Sequence, residues 1–376
     1  MKRLFFYANF RTYDMTLGIT RKVYLEIKAF QKLGYDVTYS GYTKTGVAIF
    51  DNSHNVIIEE KYRLSSPKIQ HAIRRWKLMW LCTSFVKRTD VYFDLSYIRY
   101  HFFDRTFLKM LKSLKESSRK VVMEAHSTPK FTNNLSVMNL VGRVDSKYGK
   151  YAHKYIDLIA SMSGEENMWG VNTIQITNAI DFDNITPHTY KGSKEDISFI
   201  SVSYERDVHG YDRLIRGIYE YKKRGGNRNI YFHMVGSTLQ SSIALIKKLN
   251  LEDVCRIHGP LYGEKLDEIY DMSNVGVGCL ANHRIGSFYG SALKTKEYIA
   301  KGIPFIYGWK EAVLENFEYG LEFELCEDPI DIEKVISFYD NLDKTDLVSK
   351  IRGKLGKEDK WDFQMEKVIN AVANIN

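Results

Sequence analysis

Two kinds of hydrophobic pattern alternate along this chain. Short, nearly unbroken apolar runs bounded by turn residues read as strands buried on both faces, and segments with apolar residues every three or four positions read as amphipathic helices. Leu4–Tyr7 predicts a first strand. From Gly18 to Leu33 the positions Ile19, Val23, Ile27 and Phe30 fall at helical spacing, and Gly34 supplies a stop. Tyr35–Tyr39 predicts the next strand, followed by a strand at Val91–Leu95, a helix from Asp104 to Glu116 and a strand at Lys120–Glu124. A helix near Leu140–His153 and a strand at Ile156–Ala160 complete this series. A second series begins with the strand Ile197–Val202, the helix Tyr211–Lys223 and the strand Ile230–Val235. It continues through the helix Ser241–Leu249, the strand Val254–His258, the helix Glu264–Asp271 and the strand Val275–Leu280. A helix ending at Lys301-Gly302 and the strand Pro304–Ile306 close it.

Strands separated by helices imply parallel, doubly wound sheets, and two successive series imply two α/β domains joined near Ile176–Pro187. A length of 376 residues agrees, being too great for one comfortable core. The expected division is a Rossmann-like domain over 1–178, a second over 179–358, and a C-terminal helix over 359–376 that is suited to crossing back to the first domain. Ligands in such folds sit at the carboxyl ends of the strands, here in a cleft between the domains. No Gly-x-Gly-x-x-Gly follows the first strand and no Gly-Lys-Ser/Thr loop occurs, which disfavours a nicotinamide dehydrogenase and a P-loop ATPase.

Composition narrows the setting. Hydrophobic residues at 44% and charged residues at 27% describe a folded chain, not a disordered one. Cys82, Cys255, Cys279 and Cys326 are far apart and form no Cys-x-x-Cys, so neither a disulfide scaffold nor a zinc site is expected, and a reducing compartment fits. Met1-Lys2-Arg3 is a basic flank, but the apolar run behind it breaks at Arg11, which favours a buried strand over a signal peptide. No stretch approaches the roughly 20 apolar residues of a membrane span. The expected location is cytoplasmic.

Charge is unevenly distributed. Up to Asn178 there are 28 Lys and Arg against 15 Asp and Glu, and beyond it 26 against 31. An anionic partner for the first half is implied, and a membrane face or nucleic acid would both serve. Between Lys68 and Arg88, Ile69, Ile73, Trp76 and Trp80 recur at helical spacing among Arg74, Arg75, Lys77, Lys87 and Arg88, and a second basic run extends from Arg105 through Lys109, Lys112 and Lys115 to Arg119 and Lys120. A basic helix with tryptophans suits an anionic membrane surface, although a core-facing stripe with a solvated basic face has the same letters.

Candidate chemistry concentrates between Tyr289 and Pro304. Gly290 and Ser291 precede a helix whose free N–H groups, at Ser291, Ala292 and Leu293, form an anion site. Lys294 adds a positive charge suited to a diphosphate, and Glu297 can accept from a ribose diol. The segment Ser291-Ala292-Leu293-Lys294-Thr295-Lys296-Glu297-Tyr298-Ile299-Ala300-Lys301-Gly302-Ile303-Pro304 resembles the nucleotide-sugar site of family 4 retaining glycosyltransferases of the GT-B fold, in the form found among capsule and exopolysaccharide enzymes. Glu297 matches the second glutamate of that family's Glu-x7-Glu motif, and Tyr289 stands where the first would be.

The resemblance extends along the chain. Gly18-Ile19-Thr20 resembles the family's glycine-rich turn near the donor phosphates, and His126, after the strand Lys120–Glu124, matches a histidine near the donor sugar. The segment Val202–Arg213 is similar to the strand–loop–helix that binds the phosphates, with His209 in the lysine's place and Ser203 near the arginine's; Arg206 is placed to supply charge, and Arg213 to hold the loop through Asp212. His258, ending another strand, borders the expected base site. What the resemblance implies is metal-independent, retaining transfer of a sugar from a nucleotide-sugar to a lipid-linked glycan, with no cofactor; the basic first half and its tryptophan-bearing helix add the expectation of an enzyme held peripherally on the inner face of the cell membrane. His126, Arg206 and Lys294 are its expected catalytic residues, Gly18, His209, Arg213, His258, Gly290, Ser291, Ala292, Leu293 and Glu297 its donor site, and Arg74, Arg75, Trp76, Lys77 and Trp80 its membrane side, with no nucleic acid as partner. Two alternatives stay open: an inverting GT-B transferase or nucleotide-sugar epimerase, and a degenerate subunit that binds a donor or partner without turnover.

Overall fold

A computed structural model describes residues 1–62, 67–125, 137–193, 195–286 and 292–375. The chain divides into two compact units. Met1–Met15, Ile19–Thr177 and Trp361–Asn376 form the first, and Thr16–Gly18 with Asn178–Lys360 the second.

The first unit begins with β1 (Lys2–Tyr7), α1 (Gly18–Lys32), β2 (Tyr35–Tyr42), β3 (Gly46–Phe50) and β4 (Val56–Lys61). It continues with α2 (Pro67–Arg88), β5 (Phe93–Arg99), α3 (Arg105–Glu116), β6 (Ser118–Ala125), α4 (Val137–Gly149), β7 (Leu158–Ser161), β8 (Asn167–Met168) and β9 (Val171–Gln175). Its nine-stranded sheet has the order β4-β3-β2-β1-β5-β6-β7-β9-β8. In that order the strands from β2 to β7 pair in parallel, as the alternating pattern predicts, with helices making the crossovers, and β9 adds parallel to β7 after the short β8. The edges differ: β2, β3 and β4 form an antiparallel meander, and β8 pairs antiparallel with β9. Short connections such as Thr43–Thr45 permit that pairing, and the sequence reading did not anticipate it.

The hydrophobic stripe of α1 differs in one respect from the expected one. Val23, Ile27 and Phe30 are buried, but Ile19 is exposed, and Lys22 and Glu26 lie inside. These two meet Arg99 at the carboxyl end of β5 and Glu124 near the end of β6. Lys22 Nζ lies 2.7 Å from Glu124 and 3.5 Å from Glu26, and Arg99 lies 3.3 Å from each carboxylate. Burial first, and Glu124 next, push the Glu26 carboxyl up to about 7.

On α2 the core side is Leu78, Met79, Leu81, Cys82 and Val86, whereas Trp76 and Trp80 are 58% and 64% exposed. The tryptophan stripe therefore faces away from the core. Arg75 corrects the sequence reading, being only 5% exposed: its guanidinium pairs with Asp104 at 2.5 Å, donates to the Phe102 carbonyl at 2.8 Å and stacks 3.8 Å from the Phe102 ring. Asp104 also caps α3 by accepting from the Phe107 amide at 2.7 Å. Other members of the basic run are engaged too, Lys115 with Asp157 and Lys120 with the Ile375 carbonyl. No helix among the described residues is long and apolar enough to cross a membrane.

The second unit contains β10 (Ile197–Tyr204), α5 (Tyr211–Lys223), β11 (Ile230–Ser237), α6 (Gln240–Lys248), β12 (Cys255–Gly259) and α7 (Glu264–Asp271). Next come β13 (Val275–Val277), α8 (Leu293–Lys301), β14 (Phe305–Tyr307), β15 (Gly320–Glu322), α9 (Ile332–Asn341) and α10 (Leu347–Arg352). Its parallel sheet has the order β12-β11-β10-β13-β14-β15. The order reverses between β10 and β13, the switch point where ligands bind in doubly wound sheets. The last helix, α11 (Trp361–Ala373), belongs to the first unit, where the Trp361 ring lies 5.2 Å from Lys22 Nζ.

The buried charges of the first unit have measurable consequences for stability. The Glu26 carboxyl titrates near 4.3 in an unfolded chain and near 7 when folded, so its ionisation opposes folding across that interval. Relative to Glu26→Gln, the wild type should lose stability as pH rises from about 4.5 to 7, with no further divergence above; parallel denaturation curves across that range would exclude the raised carboxyl. Arg75→Met should cost about 3 kcal/mol by leaving Asp104 uncompensated, whereas Arg74→Met should change stability by about 0.5 kcal/mol or less in urea unfolding.

Candidate functional site

At the switch point, β10 runs out into a loop that is fastened on both sides. Glu205 is buried and accepts from the Leu239 amide at 2.7 Å and the Ser242 hydroxyl at 2.5 Å, tying the loop to the start of α6. A single 3-10 turn, Asp207–His209, comes next, and Gly210 takes a left-handed conformation (φ 63°) before α5 begins. A side chain at Gly210 would bring its Cβ within 2.9 Å of the Ala281 Cβ, so glycine is required on both counts. The closeness is used: the Leu280 and Ala281 amides donate to the carbonyls of His209 and Val208 at 3.2 and 3.0 Å, joining this loop to the segment after β13.

Arginines complete the frame. Arg213 is buried and donates to the carbonyls of Asp328 and Leu280 and to Cys326 Sγ. It holds backbone carbonyls and does not act through Asp212, as the sequence reading supposed. Arg284 does that instead, forking onto Asp212 at 3.0 and 2.9 Å and pairing with Glu327.

Inside this frame lies Lys294, in the first turn of α8 and 7% exposed. Its ammonium donates to Ser201 Oγ at 3.3 Å and lies 5.6 Å from the Tyr211 ring. It forms no ion pair with a carboxylate among the described residues. Burial works against its charge, but Tyr211, Cys279 and Tyr298 more than offset that and raise its pKa. The Tyr211 hydroxyl is shared by Ser201 and Ser203, which lie two apart on one face of β10. His209 stacks on the Tyr211 ring at 5.5 Å, and its Nδ1 accepts from the Arg206 amide at 2.9 Å. Burial, then Lys294 and Arg206, push the imidazole pKa down to about 2, so it is neutral at physiological pH. The Arg206 side chain is exposed beside it.

Other expected residues are near or elsewhere. The Ala292 amide, preceding α8, donates to buried Glu311 at 3.3 Å; Leu293 opens the helix and Glu297 lies half-buried in its second turn. His258, at the end of β12, bonds His233 at 2.9 Å; burial, with Arg256 close by, lowers both imidazoles. Gly18 opens α1. His126, Tyr289, Gly290 and Ser291 lie outside the described residues. Arg74, Trp76, Lys77 and Trp80 are on α2, with Lys77 over the Tyr62 ring and Lys109 of α3 over the Trp80 ring. The Arg284–Asp212–Glu327 fork and Glu311 were missed, and nothing in their spacing marks them; the alternation of Ser201 and Ser203 at a strand end was a usable signal. Among the described residues, no group of three or more His, Cys, Asp or Glu is arranged to hold a metal. A buried ammonium, a neutral imidazole and paired hydroxyls suit an anionic ligand.

No protein-family model matches the chain, and no curated protein matches it by sequence. Solved structures do match its fold. A glycosyltransferase from Rickettsia africae ESF-5 aligns with a TM-score of 0.65 at 13% identity, over 100% of this chain and 98% of that one. The trehalose-6-phosphate synthase OtsA gives 0.66 at 13% identity over 100% of both chains. The catalytic domain of starch synthase IV from Arabidopsis thaliana, bound to ADP and acarbose, gives 0.64 at 12% identity over 99% of both. At such identities the likeness is one of fold, and the two Rossmann-like units of this chain have the GT-B fold of those glycosyltransferases.

Proposed function

We propose that the protein is a glycosyltransferase that moves a sugar from a nucleotide-sugar to a glycan acceptor. The observation that carries this reading is Lys294, a buried ammonium without a carboxylate partner among the described residues, at the switch point of a GT-B fold. A buried charge needs an opposite charge, and the diphosphate of a nucleotide-sugar supplies one. The ADP and acarbose held by the starch synthase support a nucleoside diphosphate as leaving group and a glycan as acceptor.

In the mechanism we propose, Lys294, the start of α8 and Arg206 stabilise the charge that develops on the departing diphosphate. The bond from the anomeric carbon to the phosphate oxygen breaks, and the acceptor hydroxyl bonds to that carbon on the same face. The hydroxyl proton passes to the leaving phosphate, so configuration is retained and no metal is needed. His126 orients the donor sugar. The sequence likeness to family 4 capsule and exopolysaccharide enzymes supports surface polysaccharide synthesis with a lipid-linked acceptor. Exposed Trp76 and Trp80, flanked by Lys77 and Lys109, support peripheral attachment to the inner face of the cell membrane.

Glycosidic product from purified protein, a panel of nucleotide-sugars and a glycan acceptor tests the reaction itself, and binding of nucleotide-sugar without product would favour a degenerate subunit. If Glu297 accepts from the ribose diol, Glu297→Ala should weaken nucleotide-sugar binding by about 1.5–3 kcal/mol in calorimetry; undiminished affinity would remove it from the site. For the membrane, each basic residue near an anionic leaflet contributes about 1 kcal/mol. Wild type should sediment with phosphatidylglycerol vesicles at low salt and detach as salt rises, and the triple change Trp76→Ser, Lys77→Glu, Trp80→Ser should abolish sedimentation. A wild-type protein that ignores such vesicles ends the membrane reading.

A further inference from the structure

Two groups beside the Tyr211 ring differ in kind. Lys294 approaches the ring with its ammonium, and His209 stacks on it. The tautomer of His209 is fixed by its surroundings. The Arg206 backbone N–H can only donate, and it points at Nδ1 from 2.9 Å, so that nitrogen carries a lone pair and the proton of the neutral ring resides on Nε2. Nε2 forms no hydrogen bond among the described residues, and it is not among the buried polar atoms lacking a partner. The groups facing the ring are Arg206 in its own loop, Lys294 from α8 and Tyr211 from α5. Two of them are cations, so a third charge on the ring would be repelled.

We infer that His209 binds the donor diphosphate as a neutral Nε2–H donor, while the positive charge at that point comes from Lys294. The inference rests on the donor-site reading above and goes beyond it by assigning the protonation state and the atom. The ring is fixed at two places, Nδ1 on the Arg206 amide and its face on Tyr211, and the residue's backbone is anchored by the Leu280 amide, which donates to the His209 carbonyl. The free N–H is thereby held in one direction, as a specific contact to phosphate oxygen requires, and bound phosphate meets an ammonium and an imidazole N–H in one place. Strengthening by ring protonation is not part of the design, because the bond from Arg206 would first have to break.

The test uses UDP-glucose, ADP-glucose and GDP-mannose, whichever binds tightest, because the bridging diphosphate of a nucleotide-sugar does not titrate between pH 5 and 8. Affinity of the wild type should stay within about twofold across that range. His209→Asn keeps an acceptor for the Arg206 amide but removes the distal N–H, and should weaken binding about tenfold with its melting temperature retained. His209→Gln places an amide N–H near the Nε2 position and should recover most of that loss. Binding that tightens severalfold toward pH 5, or a His209→Asn affinity equal to wild type, overturns the neutral-donor role and leaves the donor site standing. Failure of all three nucleotide-sugars to bind the folded wild type overturns both.

Discussion

A parallel strand cannot be reached from its neighbour by a tight turn, and that constraint shapes both units of this protein. Most parallel steps here run through a helix crossing over the sheet; β7 to β9, through β8, and β14 to β15, through a single 3-10 turn, use other long connections. The helices cover the sheet faces, and the strand interiors are apolar. The row of carboxyl ends stays open, and where the strand order reverses, the loops on either side diverge. In the second unit this occurs between β10 and β13, and the residues of the candidate site come from β10, from the loops leaving these two strands, and from the starts of α5 and α8. The geometry of pairing thus decides where polar side chains can gather before any of them is chosen.

Buried charge is closed in most places, as in the Lys296–Asp359 pair of the second unit at 2.6 Å, but not, among the described residues, at Lys294. In the first unit, Lys22, Arg99, Glu26 and Glu124 pair with one another inside the protein, with burial and Glu124 raising the Glu26 carboxyl. Such a group is closed, and it holds α1 against the ends of β5 and β6. In the second, Lys294 has hydroxyl and aromatic neighbours but no carboxylate among the described residues. Its charge is left for something else to balance. The carboxylates of the neighbouring loops have their own partners, Asp212 and Glu327 with Arg284 and Glu205 with the start of α6. Those pairs shape the loop, and Lys294 has no such pairing among the described residues. This contrast between a closed cluster and an open cation distinguishes a structural role from a binding one.

Much of the architecture was legible in the letters. Helices such as Tyr211–Lys223 and Glu264–Asp271 fall where the periodicity puts them, because an amphipathic stripe is a local property. The antiparallel meander of β2, β3 and β4 was not, because Val56–Lys61 is exposed along nearly all its length and carries no burial pattern to read. Arg75 looked like one basic residue among several on α2, yet Asp104 and the Phe102 ring, distant in sequence, draw it inside. Trp76 and Trp80 show the reverse: their spacing fits a core stripe, and the structure leaves them exposed.

The sequence by itself determined the alternation of strands and helices, the two series, and the candidate segment around Lys294 and Glu297, since each depends on residue type and spacing along a short stretch. Tertiary structure alone decided which charges are paired. Arg284 and not Arg213 holds Asp212, His209 is a neutral ring fixed by the Arg206 amide, and Lys294 lies near the Tyr211 ring without a carboxylate among the described residues. The physical reason is that the state of an ionisable group depends on its burial and on charges within a few ångströms; Arg206 is local to His209, but Lys294 reaches that ring, and Arg284 reaches Asp212, from about 70 to 85 residues along the chain.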